Sequence, residues 1–559
     1  MARQRASRTR GLWLPDREAD LEWTPLAGWL TEPDEPSGLG VVILPPVGYE
    51  YSSSHRFLRS LAESVAEGGA TVLRVDYAGT GDSAGHVSGI DGLEPWRSAL
   101  PIATERLRAL GMTKIAVIGC QWGGSFALLD GPKVGAVAIA AIEPVLSGRR
   151  FVRSFTMVGI PAPDEVGGIS VGGYYFGSGV LDRMAEIRVE PPEGMDVLSI
   201  TGDPRTESFL ERPAEDSIAD PSLIAEVSEW ILESAARAGE SDVAALSRLA
   251  EPRHSESASS AGEDEVDNAV VRIRDGAPAA IERFVTVGPD GLLGVLTTPV
   301  GDDAVPDELL VLVNSGSDPH SGPGRAWVEL ARELAIRGRS TLRLDFRGWG
   351  ESPDGPVVPG RPYDAHTLGD IVTAVKALNA QGSTRIVLGG LCAGAWISLA
   401  AAREIELAGV IALNPQLYWQ PGDPVEALMT TTRARRLPEI AAIKREAEAG
   451  RWNAEDAQGL RPLAGEWLDD LVRRGAPISL VFAEGDDGLE YLQDRLGRRL
   501  AESTDTGIVN VVELSGVDHG MHRTWLRQIV FDRFDHELER IYADDRHVSP
   551  GPRSSGDGT

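Results

Sequence analysis

Residues 386–402 read IVLGGLCAGAWISLAAA, an uncharged run slightly short for a membrane-spanning helix and interrupted by three glycines. Its opening residues suit a buried strand, its closing residues a helix, and Gly390-Leu391-Cys392-Ala393-Gly394 falls at the bend between them. Glycines on either side of one residue let a chain turn sharply from strand to helix, leaving that residue's side chain exposed above the helix N-terminus. Here that residue is Cys392.

Outward from this run, one plan is written twice. Residues 40–83 and 308–352 each read as strand, loop, helix, strand and Gly-rich turn; KIAVIGCQWGGSFALL from Lys114 aligns with RIVLGGLCAGAWISLA from Arg385; and AIAAIEP ending at Pro144 aligns with VIALNP ending at Pro415. The offset drifts only from 269 (Asp76 to Asp345) to 271 (Lys114 to Arg385). Apolar runs of four to six residues alternate with amphipathic stretches such as 325–337, the pattern of parallel strands buried on both faces with crossover helices. The expected class is α/β: two tandem domains, each a mostly parallel sheet flanked by helices and carrying a cap insertion. A β-hairpin should precede each parallel series, turning at Pro289-Asp290-Gly291 in the second repeat, with LEWTPLAGWLTEP as its weaker counterpart in the first.

The expected boundaries are a disordered basic N-terminus (1–18), a first domain (19–249), an acidic Ser-rich linker (250–272), a second domain (273–543) with a cap at about 416–474, and a disordered tail (544–559). The chain has 559 residues, with 54 Lys and Arg against 84 Asp and Glu, a net charge of −30 that disfavours a nucleic-acid backbone or an anionic membrane as partner. Two cysteines exclude a disulfide framework and any multi-cysteine zinc site, and they suit a reducing compartment. The basic N-terminus lacks an apolar segment and cleavage site, so the expected location is cytoplasmic, with no membrane association.

The bend at Cys392 carries chemistry as well as geometry. A helix N-terminus lowers a thiol pKa and also stabilises an oxyanion formed beside it. Taken alone, Gly-x-Cys-x-Gly equally fits a buried structural cysteine; its surroundings argue for a nucleophile. The turn LDFRGWGES, the elbow GLCAG, a late strand running into Glu484-Gly485-Asp486 and a final Asp518-His519 together resemble the α/β-hydrolase superfamily across nearly all of 281–541. Within it, GLC followed by ALNP is similar to exosortase-system-associated hydrolases. NSGSDPHSGPGR resembles another bacterial branch with the motif N-A-G-x-x-x-R-x-G-P-x-R, although His320-Ser321 stand where that branch has Arg and an apolar residue.

The resemblance implies a triad in the order nucleophile, acid, histidine: Cys392, then Asp486 with Asp487 as the adjacent alternative, then His519, with His522 three residues on. It also implies an oxyanion hole built from the N–H of Ala393 and one from the loop 314–316, with Ser315 preferred and Gly316 next. Asp345 and Arg347 read as structural, Trp396, Trp419, Trp452 and Trp467 as core or cap-pocket residues, and Arg433, Arg435 and Arg436 as a solvated cap face or a basic patch. The implied activity is cleavage of a small-molecule acyl ester or thioester, free or carrier-bound, through an acyl-cysteine, with no metal or organic cofactor. A cysteine nucleophile also resembles dienelactone hydrolase and polyhydroxyalkanoate synthase, so acyl transfer to an alcohol, amine or thiol is the close alternative, and a non-catalytic scaffold is a third. Oligomeric state is open.

The first repeat differs at the same positions. It reads Gly119-Cys120-Gln121-Trp122-Gly123, with a non-nucleophilic amide at the bend and Cys120 one residue early, where the strand should bury it. Asp203 survives in LSITGDPR, but no histidine lies between His86 and His254. A degenerate domain is expected, with an elbow that still offers a helix N-terminus to an anion.

Overall fold

The computed structural model describes all residues except 1–6, 16–24, 87–89, 91, 213, 215–216, 240–268, 273–277, 302–304, 356–364, 416–463 and 544–559. Contacts divide the chain into two compact units. One holds Met1–Asp303, Asn314–Pro362 and Gly520–Arg527; the other holds Ala304–Val313, Tyr363–His519 and Gln528–Thr559. The first unit therefore contains the whole first repeat together with the opening strands of the second, its segment 314–362 and its segment 520–527.

In chain order the first repeat has strands β1 (Ser7–Leu14), β2 (Leu26–Pro33), β3 (Leu39–Leu44), β4 (Thr71–Val75), β5 (Lys114–Cys120), β6 (Ala138–Ile142), β7 (Ile160–Pro161), β8 (Ile169–Val171), β9 (Tyr174–Phe176) and β10 (Asp196–Ile200). Seven of them form a sheet in the order β1-β2-β4-β3-β5-β6-β10. The β1–β2 and β2–β4 pairs are antiparallel and the rest parallel. Strands β3 to β6 are apolar and almost wholly buried, because helices cover both faces: Glu50–Glu67 and Pro221–Arg237 on one side, Ala99–Ala109 and Trp122–Asp130 on the other. The cap insertion is built from helix Gly148–Val158, the three-stranded sheet β7-β8-β9 and helix Ser178–Glu186.

Two expected unstructured segments are corrected. Residues 7–14, placed in a disordered terminus, form β1. Leu12, Trp13 and Leu14 are buried there, while Thr9 bonds Thr31 at 3.0 Å and Arg10 bonds Glu32 at 3.2 Å, so the strand gains core contact as well as a ladder. Ala269–Arg272, the end of the expected linker, forms β11, with Val271 buried. The remainder of that linker, the C-terminal tail and cap residues 416–463 lie outside the described residues.

The second repeat continues with β12 (Pro278–Val287), β13 (Leu292–Thr298), β14 (Glu308–Val313), β15 (Thr341–Leu344), β16 (Arg385–Leu391), β17 (Gly409–Leu413), β18 (Ile478–Ala483) and β19 (Val509–Leu514). The expected hairpin is β12–β13, turning at 289–291. In the first unit, β11, β12, β13 and β15 pair antiparallel in that order. In the second unit, β14-β16-β17-β18-β19 is wholly parallel. The run β3-β5-β6-β10 thus recurs as β14-β16-β17-β18, the topological form of the repeat. Among the described residues no helix is long and apolar enough to cross a membrane.

Candidate active site

Strand β16 ends at Leu391 and helix Ala393–Ala401 begins two residues later, with Cys392 between them at φ 56°, ψ −111°. A positive φ on a non-glycine residue costs about 1–3 kcal/mol and persists only where neighbours enforce it. Two groups do so: the Cys392 N–H donates to Leu413 O at 2.9 Å, and Trp396 N donates to Cys392 O at 3.1 Å. The turn is possible because Gly390 has no side chain; a Cβ there would sit 2.4 Å from the Gly394 carbonyl carbon. Cys392 remains partly exposed.

Strand β18 delivers the acid. Asp486 caps helix Asp487–Asp505, accepting the Gly488 N–H at 2.8 Å through Oδ1, while Oδ2 lies 2.6 Å from His519 Nδ1. Asp486 rather than Asp487 therefore meets the histidine, since Asp487 is already the first helical residue. His519 also hydrogen-bonds the Cys392 side chain. Burial pulls the imidazole pKa down, but hydrogen bonds to Asp486 and Cys392 and the charges on both outweigh it and hold the pKa well above the usual range. Even so, 35% of the His519 side chain reaches solvent, against 4% for Asp486, so the histidine is the open face of the trio.

Asn414, which no sequence argument singled out, ties these parts together. It sits at φ 47° just after β17, accepts the Ala483 N–H at 2.7 Å, and donates to the His519 carbonyl at 2.9 Å. It fastens the end of β18, which leads to Asp486, to the loop that carries His519.

Of the expected oxyanion donors, Ala393 is the first residue of the elbow helix and is buried. Ser315 belongs to the other compact unit, where it is buried in the loop after β14. Asp345 has the structural role expected, accepting from Asn314 Nδ2 at 2.8 Å and from Glu351 N at 2.9 Å. Arg347 pairs with Asp290 at 3.3 Å. Trp396 packs in the core, whereas Trp419, Trp452, Arg433, Arg435, Arg436 and the Trp467 side chain are outside the described residues. No group of three or more His, Cys, Asp or Glu placed to hold a metal occurs among the described residues.

A sequence model of the alpha/beta hydrolase family matches residues 310–530, which span β14, the elbow, the acid and the histidine. Residues 310–530 belong to the alpha/beta hydrolase family. Among solved structures, the chain is similar to an esterase of Pyrococcus furiosus (16% identity, 46% of this chain and 90% of that one, TM-score 0.33). It is also similar to an α/β serine hydrolase without a lid from Xanthomonas campestris (16% identity, 47% and 94%, TM-score 0.29). A third is Est1E of Butyrivibrio proteoclasticus with ferulic acid bound (16% identity, 46% and 100%, TM-score 0.32). No curated protein matches the chain in sequence.

The first repeat has a bend of the same backbone form with a glutamine at its centre. Gln121 has φ 51°, ψ −115°, nearly the Cys392 conformation, and its N–H donates to Ile142 O at 2.8 Å, as that of Cys392 does to Leu413. Asp203 still caps its helix but is paired with Arg205 instead of a histidine. Cys120 is fully buried, and burial, then the charges of Glu143 and Glu50, push its thiol pKa far up. Space beside this elbow is filled from the cap: Phe151 stacks edge-on to Trp122 at 5.5 Å, Phe155 lies against Phe151 and Phe176, and Glu50 hydrogen-bonds Gln121. An acidic side chain and three phenylalanines make this a poor anion site, contrary to what the bare motif suggested. Gln121→Cys in a Cys392→Ala background is accordingly expected to restore no activity in an ester-hydrolysis assay.

Both elbows predict the same steric result. A Cβ at Gly119 would meet the Gly123 carbonyl oxygen at 2.1 Å, so Gly119→Ala is expected to cost about 1–3 kcal/mol by overpacking, read as a lower denaturant midpoint.

Proposed function

We propose that the second repeat cleaves an ester or thioester through an acyl-Cys392 intermediate. The observation that carries this reading is the chain of contacts from Cys392 to His519 to Asp486, with the cysteine held on a strained elbow at a helix N-terminus. The Cys392 sulfur attacks the acyl carbonyl carbon while its proton resides on His519, whose imidazolium is oriented and supported by Asp486. The tetrahedral oxyanion is held by the Ala393 N–H at the positive end of helix Ala393–Ala401. Collapse of that intermediate expels the alcohol or thiol, which takes the His519 proton. Neutral His519 then removes a proton from water, hydroxide character adds to the acyl carbon, and the sulfur leaves with the proton returned from His519.

The test is hydrolysis of p-nitrophenyl butyrate and of a short acyl thioester by wild type and by His519→Ala, followed as a function of pH. Acylation needs the protonated imidazole as the general acid, and that proton is held by Asp486 and Cys392. The alkaline limb of kcat/KM is therefore expected well above the ordinary imidazole value of about 6.5. An alkaline limb at or below that value would contradict the assignment of His519. Adding alcohol, amine and thiol acceptors to the same assay reads out hydrolysis against acyl transfer.

A further inference from the structure

Asn414 holds the main chain of His519, and we propose that it is a positioning residue for the reaction: its amide fixes the histidine loop so that one imidazole meets both Asp486 and Cys392. The inference rests on the acyl-cysteine reading, and Asn414, Ala483, Asp486, Cys392 and His519 all lie in the second compact unit. Asn414 follows β17 at φ 47°, a left-handed conformation that asparagine tolerates better than most residues. Its N–H donates to Val481 O at 2.7 Å, which ties the residue to β18 and gives its buried side chain a fixed origin. The neighbours settle which way the amide points. Ala483 offers an N–H, 2.7 Å from Oδ1, and His519 offers a carbonyl, 2.9 Å from Nδ2; a flipped amide would set donor against donor and acceptor against acceptor. Ala483 ends β18 three residues before Asp486, so one side chain registers the acid against the histidine.

The acid and histidine loops have other ties. Gly516 N donates to Glu484 Oε2 at 2.8 Å and Gly485 N to Glu513 Oε1 at 3.1 Å, but both bonds are exposed, where water competes for the same groups. The first of them stops at Gly516, short of His519. Asn414 acts from the buried side and reaches His519 itself.

The first repeat supplies a comparison. Glu143 occupies the same place after β6, at φ 46°, with its N–H donating to Ile200 O at 2.7 Å. Its Oε1 accepts from Asp203 N at 3.0 Å and from Thr206 Oγ1 at 3.2 Å, so it too holds the loop that carries the acid. A carboxylate accepts and cannot donate, and among the described residues the first repeat has no counterpart of β19 and its histidine loop. Holding the acid loop is the duty common to both copies, and for it an acceptor suffices. Donation to the histidine loop is added in the copy that has a base, and it requires a side chain that accepts at one end and donates at the other.

The experiment compares N414G, N414D and E143G in the full chain, with p-nitrophenyl butyrate kinetics as a function of pH and melting temperature as readouts. Glycine adopts a positive φ freely, so N414G and E143G remove side-chain bonds at matched positions without adding backbone strain. Both are expected to lower the melting temperature. Only N414G is expected to lower kcat, about 10²-fold, the size of a small misplacement of a reacting group, with KM at the wild-type value. Its alkaline limb of kcat/KM is expected to move down toward about 6.5, because a displaced ring loses the hydrogen bonds to Asp486 and Cys392 that hold its proton. Wild-type kcat in N414G, equal losses of kcat in N414G and E143G, or an unmoved alkaline limb overturns the proposal. If N414G does not fold, N414D decides. It keeps the acceptor for Ala483 but, once ionised, turns a second acceptor on the His519 carbonyl, so its kcat relative to wild type is expected below one at the alkaline end; a ratio of one there overturns the proposal. Turnover that survives Cys392→Ala sinks the acyl-cysteine reading itself, whereas a silent Cys392→Ala beside a fully active N414G sinks only the positioning role.

Discussion

Cys392→Ala is expected to remove turnover, lowering kcat/KM by about 10⁴-fold or more, because nucleophile and base act as one unit and loss of either leaves only binding and oxyanion stabilisation. His519→Ala should fall nearly as far, since the sulfur then lacks both a proton acceptor and the imidazolium that protonates the leaving group. Asp486→Asn should fall less: the helix cap at Gly488 is kept, while the charge behind the His519 ring is lost. Cys120→Ala should leave the kinetics unchanged, because that thiol is buried and its pKa is pushed far up. The four rates form a graded set that a structural cysteine at position 392 would not produce. They would be measured as initial rates on purified variants whose melting temperatures match wild type.

Arg343→Met is expected to give the largest loss of stability, about 3–5 kcal/mol, by leaving buried carboxylates short of a counter-ion. Arg343 is wholly buried in the middle of β15 and bonds Asp82 Oδ1 at 2.5 Å and Glu282 Oε1 at 2.9 Å. Burial alone would raise the pKa of Glu282, yet Arg332 and Arg343 pull it below the usual carboxylate range, a sign that their charges are coupled to its ionised form. Methionine fills the stem's volume but satisfies neither oxygen. Asp82 retains His320 and Glu282 retains Arg332, which keeps the cost within that range. By contrast Arg347→Ala, which breaks a half-exposed pair with Asp290, should cost under about 1 kcal/mol. Denaturant titration of the two variants measures both values; similar small losses would mean that the buried charges are not coupled as their geometry implies.

The contrast between these two arginines also shows how far the sequence could be read. The elbow was legible because three constraints coincide at 390–394: apolar residues before, glycines at the bend, small apolar residues after. The register of Gln121 against Cys392 followed from the repeat, and the matching φ values bear it out. Asp486 and Asp487 could not be told apart by composition; helix capping separates them, because the capping residue lies outside the helix and is free to reach His519.

What was not legible depends on contacts between segments distant along the chain. Arg74 and Arg343 each interrupt an apolar strand at the same position of the repeat, a visible sign that a buried partner must exist, but no local rule says that each partner belongs to the other copy. His320, the residue that departs from the related bacterial motif, proves to be the joint between repeats. Asn414 was missed because asparagine after a strand normally reads as a turn, whereas here its amide spans two loops. The terminus at 7–14 looked disordered from its charge, yet all of its residues, the two arginines included, pair against β2, and Arg10 finds Glu32 there.

The central claim is a covalent acyl group on Cys392, and intact-mass spectrometry of the full chain after brief exposure to an acyl thioester and to p-nitrophenyl butyrate tests it most directly. The account predicts a single added acyl mass on wild type, mapped by digestion to the peptide containing Cys392, absent from Cys392→Ala and unaffected by Cys120→Ala. It also predicts accumulation of that adduct in a variant slowed at deacylation. Turnover of either probe with no adduct on wild type, or an adduct that survives Cys392→Ala, would contradict it.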